Sequence, residues 1–209
     1  KNISSEDLES MKAQTIISNS FILSLQPGVP VIKKAKGIAK FMTYKGKVFT
    51  DSGGFQMYSP ALYISSNNEG VIFRNPFSGE KIFMTPERNM KIQIDLGADV
   101  AMCLDSMSLL HHGKEEIKKS VEKTNLWALR CKKEHDKLQK NISFKNRQLL
   151  FGITQGGIHE DLREESCREI IKINFDGYAL GGLALGETKE QEYKMIEIVM
   201  NYRIPSLIY

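Results

Sequence analysis

The sequence predicts an α/β protein built on a parallel sheet, and three observations carry that expectation. Short β-branched or apolar runs alternate with longer amphipathic stretches along nearly all of the 209 residues. Such alternation means parallel pairing through right-handed crossovers. Three of the apolar runs end in polar residues and paired glycines: Thr50-Asp51-Ser52-Gly53-Gly54-Phe55-Gln56, Gly152-Ile153-Thr154-Gln155-Gly156-Gly157, and the stretch from Tyr178 through Gly181-Gly182 to Glu187. Ligands gather at the carboxyl ends of parallel strands, so these loops are the candidate site. Finally, five strands are counted with the start of a sixth. That number fits a doubly wound sheet or a (β/α)8 barrel, and alone it leans to the open sheet.

In chain order, Ser4 with Asp7 makes a capping-box start for a helix reaching about Lys12. Residues 15–21 are β-branched and apolar, a strand with Asn19 and Ser20 at its exit. Pro27-Gly28 breaks the chain, and residues 31–40 are predicted as a short helix whose Lys33, Lys34 and Lys36 form a solvated face. Val48-Phe49 then feeds the Asp51 loop. Residues 71–74 and 81–84 alternate around Asn75-Pro76-Phe77-Ser78-Gly79, which predicts a hairpin inserted around residues 67–85 of a single domain, 1–209. Thr85-Pro86-Glu87 starts a helix: Thr caps it, Pro suits its first turn, and Glu meets the positive end of its dipole. Gly97 ends that helix, and residues 98–105 form the next strand.

From about Gly113 to Gln139, the positions of Ile117, Val121, Leu126, Trp127, Leu129 and Cys131 recur at helical spacing among many Lys and Glu. That pattern is a long surface helix with one buried stripe. Residues 140–147 read as a polar linker, 149–154 as a strand, 161–173 as a helix and 178–184 as a strand. Thr188 caps a helix over residues 188–203, and residues 206–209 open another strand.

Composition bounds the partners. A net charge of +4, from 29 basic and 25 acidic residues, is compatible with nucleic acid but is shared by many enzymes of small substrates. No run approaches the ~18 apolar residues of a membrane span, and the N-terminus has no signal-peptide pattern, so a cytoplasmic protein is expected. Cys103, Cys131 and Cys167 are odd in number and widely spaced, which reads as buried thiols and not as a disulfide framework or a metal site. His111 and His112 fall in a loop, and His135 and His159 on or beside helices. None has metal spacing, so solvated or packing roles are expected.

Taken alone, Asp51 could be a site carboxylate or the cap of the next element. The three glycine loops together with Asp105, which ends a fourth strand, resemble the tRNA-guanine transglycosylase family. The resemblance extends from Gln26-Pro27-Gly28 through Thr85-Pro86-Glu87-Arg88 and Asp161-Leu162-Arg163 to Pro205. It implies a (β/α)8 TIM barrel, incomplete here because the first and last strands would lie outside the chain. It also implies exchange of a guanine in a tRNA anticodon loop, at the wobble position, for a 7-deazaguanine base (preQ1 or queuine).

By the resemblance, Asp51 is the acid/base carboxylate, with Asn19, Ser52 and Gln56 in support. Asp105 and Gln155 read the purine edge, and Gly182 offers its backbone N–H to the base carbonyl. Phe55 stacks on one ring face, and Glu187 helps the Leu183 backbone adapt to a substituted base. Met107 and Leu185 border the space for that substituent. A second, nucleophilic aspartate and a structural zinc with its Cys/His ligands are expected beyond these residues, with no metal ligand inside them. A homo- or heterodimer is expected. The chain departs from the family pattern at Ser106-Met107, where an acidic residue commonly follows the base-reading aspartate, and at Phe21-Ile22, where Tyr-His is usual. Two other readings stay open: a non-catalytic tRNA-binding partner subunit, and an unrelated barrel enzyme that uses the glycine loops for phosphate.

Overall fold

The structure, a computed structural model, describes residues 3–108, 112–202 and 207–208. Its strands are β1 (Thr15–Asn19), β2 (Lys47–Asp51), β3 (Tyr63–Asn67), β4 (Gly70–Arg74), β5 (Lys81–Met84), β6 (Val100–Met102), β7 (Leu149–Thr154), β8 (Gly177–Leu180) and β9 (Leu207–Ile208). Six form one parallel sheet in the order β1-β2-β6-β7-β8-β9, and β3-β4-β5 form a separate antiparallel sheet. Each parallel strand is added beyond the last without reversal. A doubly wound sheet changes direction at a switch point, and this one does not.

The helices are α1 (Ser5–Ser10), α2 (Ser20–Leu23), α3 (Val29–Lys34), α4 (Ile38–Phe41), α5 (Gly54–Met57), α6 (Pro86–Leu96), α7 (Lys114–Leu138), α8 (Glu160–Lys172) and α9 (Lys189–Met200). The period of two along each strand separates two cores. Ala101, Cys103, Leu150 and Tyr178 pack against helix residues such as Met90, Trp127 and Ile170. Val48 joins Ile32, Ile38 and Leu96 in a second helix-facing cluster. The alternate positions Phe49, Val100, Met102, Leu149, Phe151, Ile153 and Ala179 pack together as a third cluster. One face of the sheet is therefore covered by helices, and the other is filled by strand side chains. Phe49 meets Phe151 edge-on there, at a centroid distance of 5.6 Å.

Several boundaries differ from the sequence expectation, each for a local reason. The strand expected over 15–21 stops at Asn19, because the Asn19 carboxamide accepts the Ile22 N–H at 2.8 Å and starts α2. The helix expected over 31–40 is two helices, α3 and α4, broken where Lys36 (φ 65) and Gly37 (φ 107) turn left-handed. The hairpin gains a third strand, β3, and the turn from β3 into β4 is tied to α7 by the Trp127 indole N–H donating to Asn68 O at 2.9 Å. The strands expected over 98–105 and 178–184 shorten to β6 and β8 where the loops peel away. A 3-10 turn, Phe144–Asn146, interrupts the expected linker. The last helix ends at Met200, and β9 pairs with β8. The expected caps at Ser4, Thr85, Gly97 and Thr188 are all present.

Candidate active site

Asp51 is the last residue of β2 and pairs in register with Asn19 at the end of β1. The Asn19 amide donates to Asp51 Oδ2 at 3.1 Å, and the Ser20 hydroxyl donates to the Asp51 backbone carbonyl at 2.6 Å. Asp51 Oδ1 is buried and has no hydrogen-bond partner among the described residues. Burial above all, with the nearby Asp105 carboxylate adding, pushes the Asp51 carboxyl up to about 6; the Ser20 and Gly53 backbone and the Asn19 amide oppose this. Such a group can take and return a proton near neutral pH.

Asp105 lies just past β6 and is 9% exposed. It accepts from the Ser52 hydroxyl at 3.2 Å through Oδ1 and from the Gln155 amide at 2.7 Å through Oδ2. Burial raises its carboxyl, against those two donors. The loop after β2 approaches it closely only because residue 54 is glycine: a Cβ there would sit 2.7 Å from Asp105 Oδ1. Gln155, at the end of β7, has its backbone N–H held by the Ser166 hydroxyl at 2.9 Å. Gly182 turns left-handed (φ 68), and a side chain there would collide with Gln155 Oε1.

These groups surround a cavity of about 220 Å³. That is below the ~300–1,000 Å³ of drug-sized pockets, room for a small molecule only. Asp51, Ser52, Phe55, Gln56, Asp105, Met107, Gln155, Gly182, Leu183 and Leu185 all line it. Asn19 and Glu187 stand behind. Glu187 accepts the Ala184 N–H and, at 2.9 Å, the Leu185 N–H. The Ala184 N–H shares a peptide group with the Leu183 carbonyl, so Glu187 grips that peptide. Burial pushes the Glu187 carboxyl up, but the backbone donors outweigh it and leave it below its ordinary value. Gln56 makes no hydrogen bond to Asp51, and its Oε1 is buried without a partner among the described residues. Phe55 is 55% exposed at the rim.

The cavity also uses residues that sequence reasoning passed over. Met102, Ile153 and Leu180 form its floor and wall. The inward period of β6 and β7 was the available signal for the first two. Asn89 and Gln93 on α6 hold the site from behind: the Asn89 amide donates to Ser52 O at 2.8 Å, and Gln93 bonds Asn89, Thr50 and both backbone groups of Met102. Two polar residues four apart on a buried helical stripe could have flagged them. Arg163 of α8, quoted above only as part of a motif, is fully buried behind β7 and β8.

Two wider depressions lie elsewhere, one of about 640 Å³ between the β3–β4 turn and α7 and one of about 840 Å³ at the amino ends of the parallel strands. Neither contains a pair of carboxyls with raised pKa values, the feature that marks chemistry in a cleft. The three cysteines are free and buried. His135 is buried on α7 against Gln139, and His159 precedes α8; His111 lies outside the described residues. Among the described residues no group of three or more His, Cys, Asp or Glu could hold a metal ion. None of their helices is long and apolar enough to cross a membrane.

The sequence profile of the family described as queuine tRNA-ribosyltransferase matches residues 1–206. The chain belongs to the queuine tRNA-ribosyltransferase family. A protein of that name from Staphylococcus aureus is 44% identical over 197 residues, covering 94% of this chain and 50% of the relative. Its namesake from Clostridium acetobutylicum is 44% identical over 199 residues, covering 95% of this chain and 53% of the relative. The chain thus spans about half the length of the curated relatives it matches. Of the residues expected to serve the base pocket, Asp51, Phe55, Asp105, Gln155, Gly182 and Leu183 line one cavity, and Glu187 does not.

Proposed function

We propose that the protein containing this chain exchanges a guanine in a tRNA loop, at the anticodon wobble position, for a 7-deazaguanine base, and that the cavity is the pocket for that base. The observation that carries this reading is the convergence on a 220 Å³ slot of two buried carboxyls with raised pKa values, Asp51 and Asp105, beside Gln155 and the Gly182 backbone. Asp105 and Gln155 present acceptor and donor atoms to the hydrogen-bonding edge of a purine, a pairing worth roughly 1–3 kcal/mol of discrimination by analogy with groove readout. Asp51 gives a proton to the departing base and takes one from the incoming base. The target nucleotide has to leave its stack to reach strand ends, the usual solution for chemistry on a base. The carboxylate that attacks the ribose is assigned to the part of the protein outside these residues, as is the structural zinc, and no step here runs through the metal.

The sheet fits a (β/α)8 barrel. Its strands are added in one direction, and the face away from the helices is filled by strand side chains. Incorporation of labelled guanine into tRNA by the intact protein tests the activity. Exchange supports the reading. Binding of tRNA without exchange would instead mark a non-catalytic partner subunit, and phosphate binding without tRNA binding would mark an unrelated barrel enzyme.

A further inference from the structure

Arg163 is 0% exposed, yet no carboxylate among the described residues lies within ion-pair distance of it. Its guanidinium spends its hydrogen bonds on three backbone carbonyls. Nη1 donates to Thr154 O at 3.1 Å and to Gly181 O at 2.9 Å, and Nη2 donates to Gly157 O at 2.8 Å. Nε is buried and unpartnered. One side chain thus ties the end of β7, the loop after it and the loop after β8. A buried cation without a direct ion pair is costly: Glu187 attracts it only from beyond contact distance, and a place near the positive end of α8 adds to the cost. Burial lowers Arg163 to about 10, so it still carries its charge at neutral pH.

The bond to Gly181 O has a directional consequence. The peptide joining Gly181 to Gly182 is planar and trans, so its N–H points opposite to its C=O. With the carbonyl turned to the buried guanidinium, the Gly182 N–H is turned the other way, and Gly182 lines the cavity. No described residue accepts from that N–H, whereas the neighbouring Gly181 N–H is spent on Thr154 O at 2.8 Å. A charged donor on the carbonyl also strengthens the donor at the other end of the same peptide, by about 10–30% per bond in condensed-phase estimates.

We propose that Arg163 is a positioning residue: it fixes the Gly181–Gly182 peptide so that the Gly182 N–H faces the cavity as a strengthened donor for a carbonyl oxygen on the bound base. The inference rests on the base-pocket reading. It separates recognition of the base oxygen from recognition of the edge that Asp105 and Gln155 read.

The test compares guanine with 2-aminopurine, which lacks that oxygen and the adjoining N1–H, in the intact protein and its Arg163→Gln and Arg163→Lys variants, and reads for each base the change from wild type to variant. Calorimetry should show Arg163→Gln weakening guanine on the order of tenfold, the scale of one hydrogen bond, while leaving 2-aminopurine unchanged. Arg163→Lys keeps the charge and should recover part of the preference. Equal losses for both bases would make Arg163 a structural staple and overturn the proposal. Should the variants not fold, the wild-type protein decides by its backbone amide spectrum. The Gly182 amide should shift with guanine and hold still with 2-aminopurine, while the Phe55 and Gln155 amides shift with both. A Gly182 amide that responds alike to both bases overturns this inference alone. If neither base moves any pocket amide, the base-binding reading falls and takes this inference with it.

Discussion

Asp51 and Asp105 are both carboxyls in the same cavity, and their surroundings separate their tasks. Asp105 is satisfied on both oxygens by Ser52 and Gln155, whereas Asp51 keeps Oδ1 free of any described donor. On the proposed function, that free oxygen is why the proton is assigned to Asp51. Asp51→Asn in the intact protein should lower exchange by ~10²–10⁴, with tRNA binding changed far less because phosphate contacts supply most of that affinity. Single-turnover exchange and filter binding check the two halves, and unchanged turnover would remove Asp51 from the mechanism. Leu185 and Met107 also line the cavity, and on the proposed function they bear on a different property, the room for a substituent. The wild type should favour preQ1 or guanine over queuine, and Leu185→Gly, alone or with Met107→Val, should raise kcat/KM for queuine by roughly 10-fold or more, the scale of a few methylenes in a pocket. Competition among the three bases decides it; a wild-type preference for queuine would show that these side chains do not gate the pocket.

At the scale of elements, α6 does more than cover the sheet. The ladder between β2 and β6 ends at Thr50 and Ala101, and Gln93 fills the gap beyond it. Its amide donates to Met102 O at 2.8 Å, and its Oε1 accepts from Met102 N at 3.0 Å and from the Thr50 hydroxyl at 2.8 Å. The splay of β2 from β6 lets Asp51 and the Ser52 loop open towards the cavity without orphaning backbone groups. Gln93→Leu removes all of these partners. Since each buried unsatisfied group costs about 1–3 kcal/mol, unfolding stability should drop by roughly 2–5 kcal/mol. A urea titration reads the loss; a drop under ~0.5 kcal/mol would mean water replaces Gln93 freely.

For the whole molecule, the cavity carboxyls and the His135 imidazole make stability depend on pH in opposite senses. Burial first, then Asp105, lifts Asp51 from 3.8 to about 6, so its contribution is whole below about pH 4 and is lost as pH rises through 6. Asp105, raised by burial, acts in the same sense. Burial pushes His135 from 6.5 down to about 4, so its contribution is whole above pH 6.5 and is lost as pH falls through 4. The effects overlap and partly offset. Asp51→Asn should therefore gain about 1–3 kcal/mol on the wild type between pH 4.5 and pH 7.5, at ~1.4 kcal/mol per pKa unit. His135→Gln should shift the balance the other way over the same interval. Urea midpoints at the two pH values measure both changes, and parallel profiles for all three proteins would mean that neither group is coupled to folding.

What the sequence by itself determined is what neighbouring residues can write. The alternation of strands and helices, the caps at Thr85 and Thr188, the stop at Gly97 and the polar strand ends at Asp51, Asp105 and Gln155 follow from local period, dihedral preference and residue chemistry. The resemblance to a known family then named most of the cavity residues before any fold was in view. Only the tertiary structure decided the rest, because it depends on pairs far apart in the chain. Strand order distinguishes a sheet that adds strands in one direction from a doubly wound one, and no local pattern records it. The approach of Asp105 to Gln155, 50 residues apart, is set by the register of β6 on β7. The role of Arg163 was hidden for the same reason: arginine in an acidic helix reads as a solvated charge. Only the packing of α8 behind β7 and β8 strips away its water and leaves backbone carbonyls as its partners.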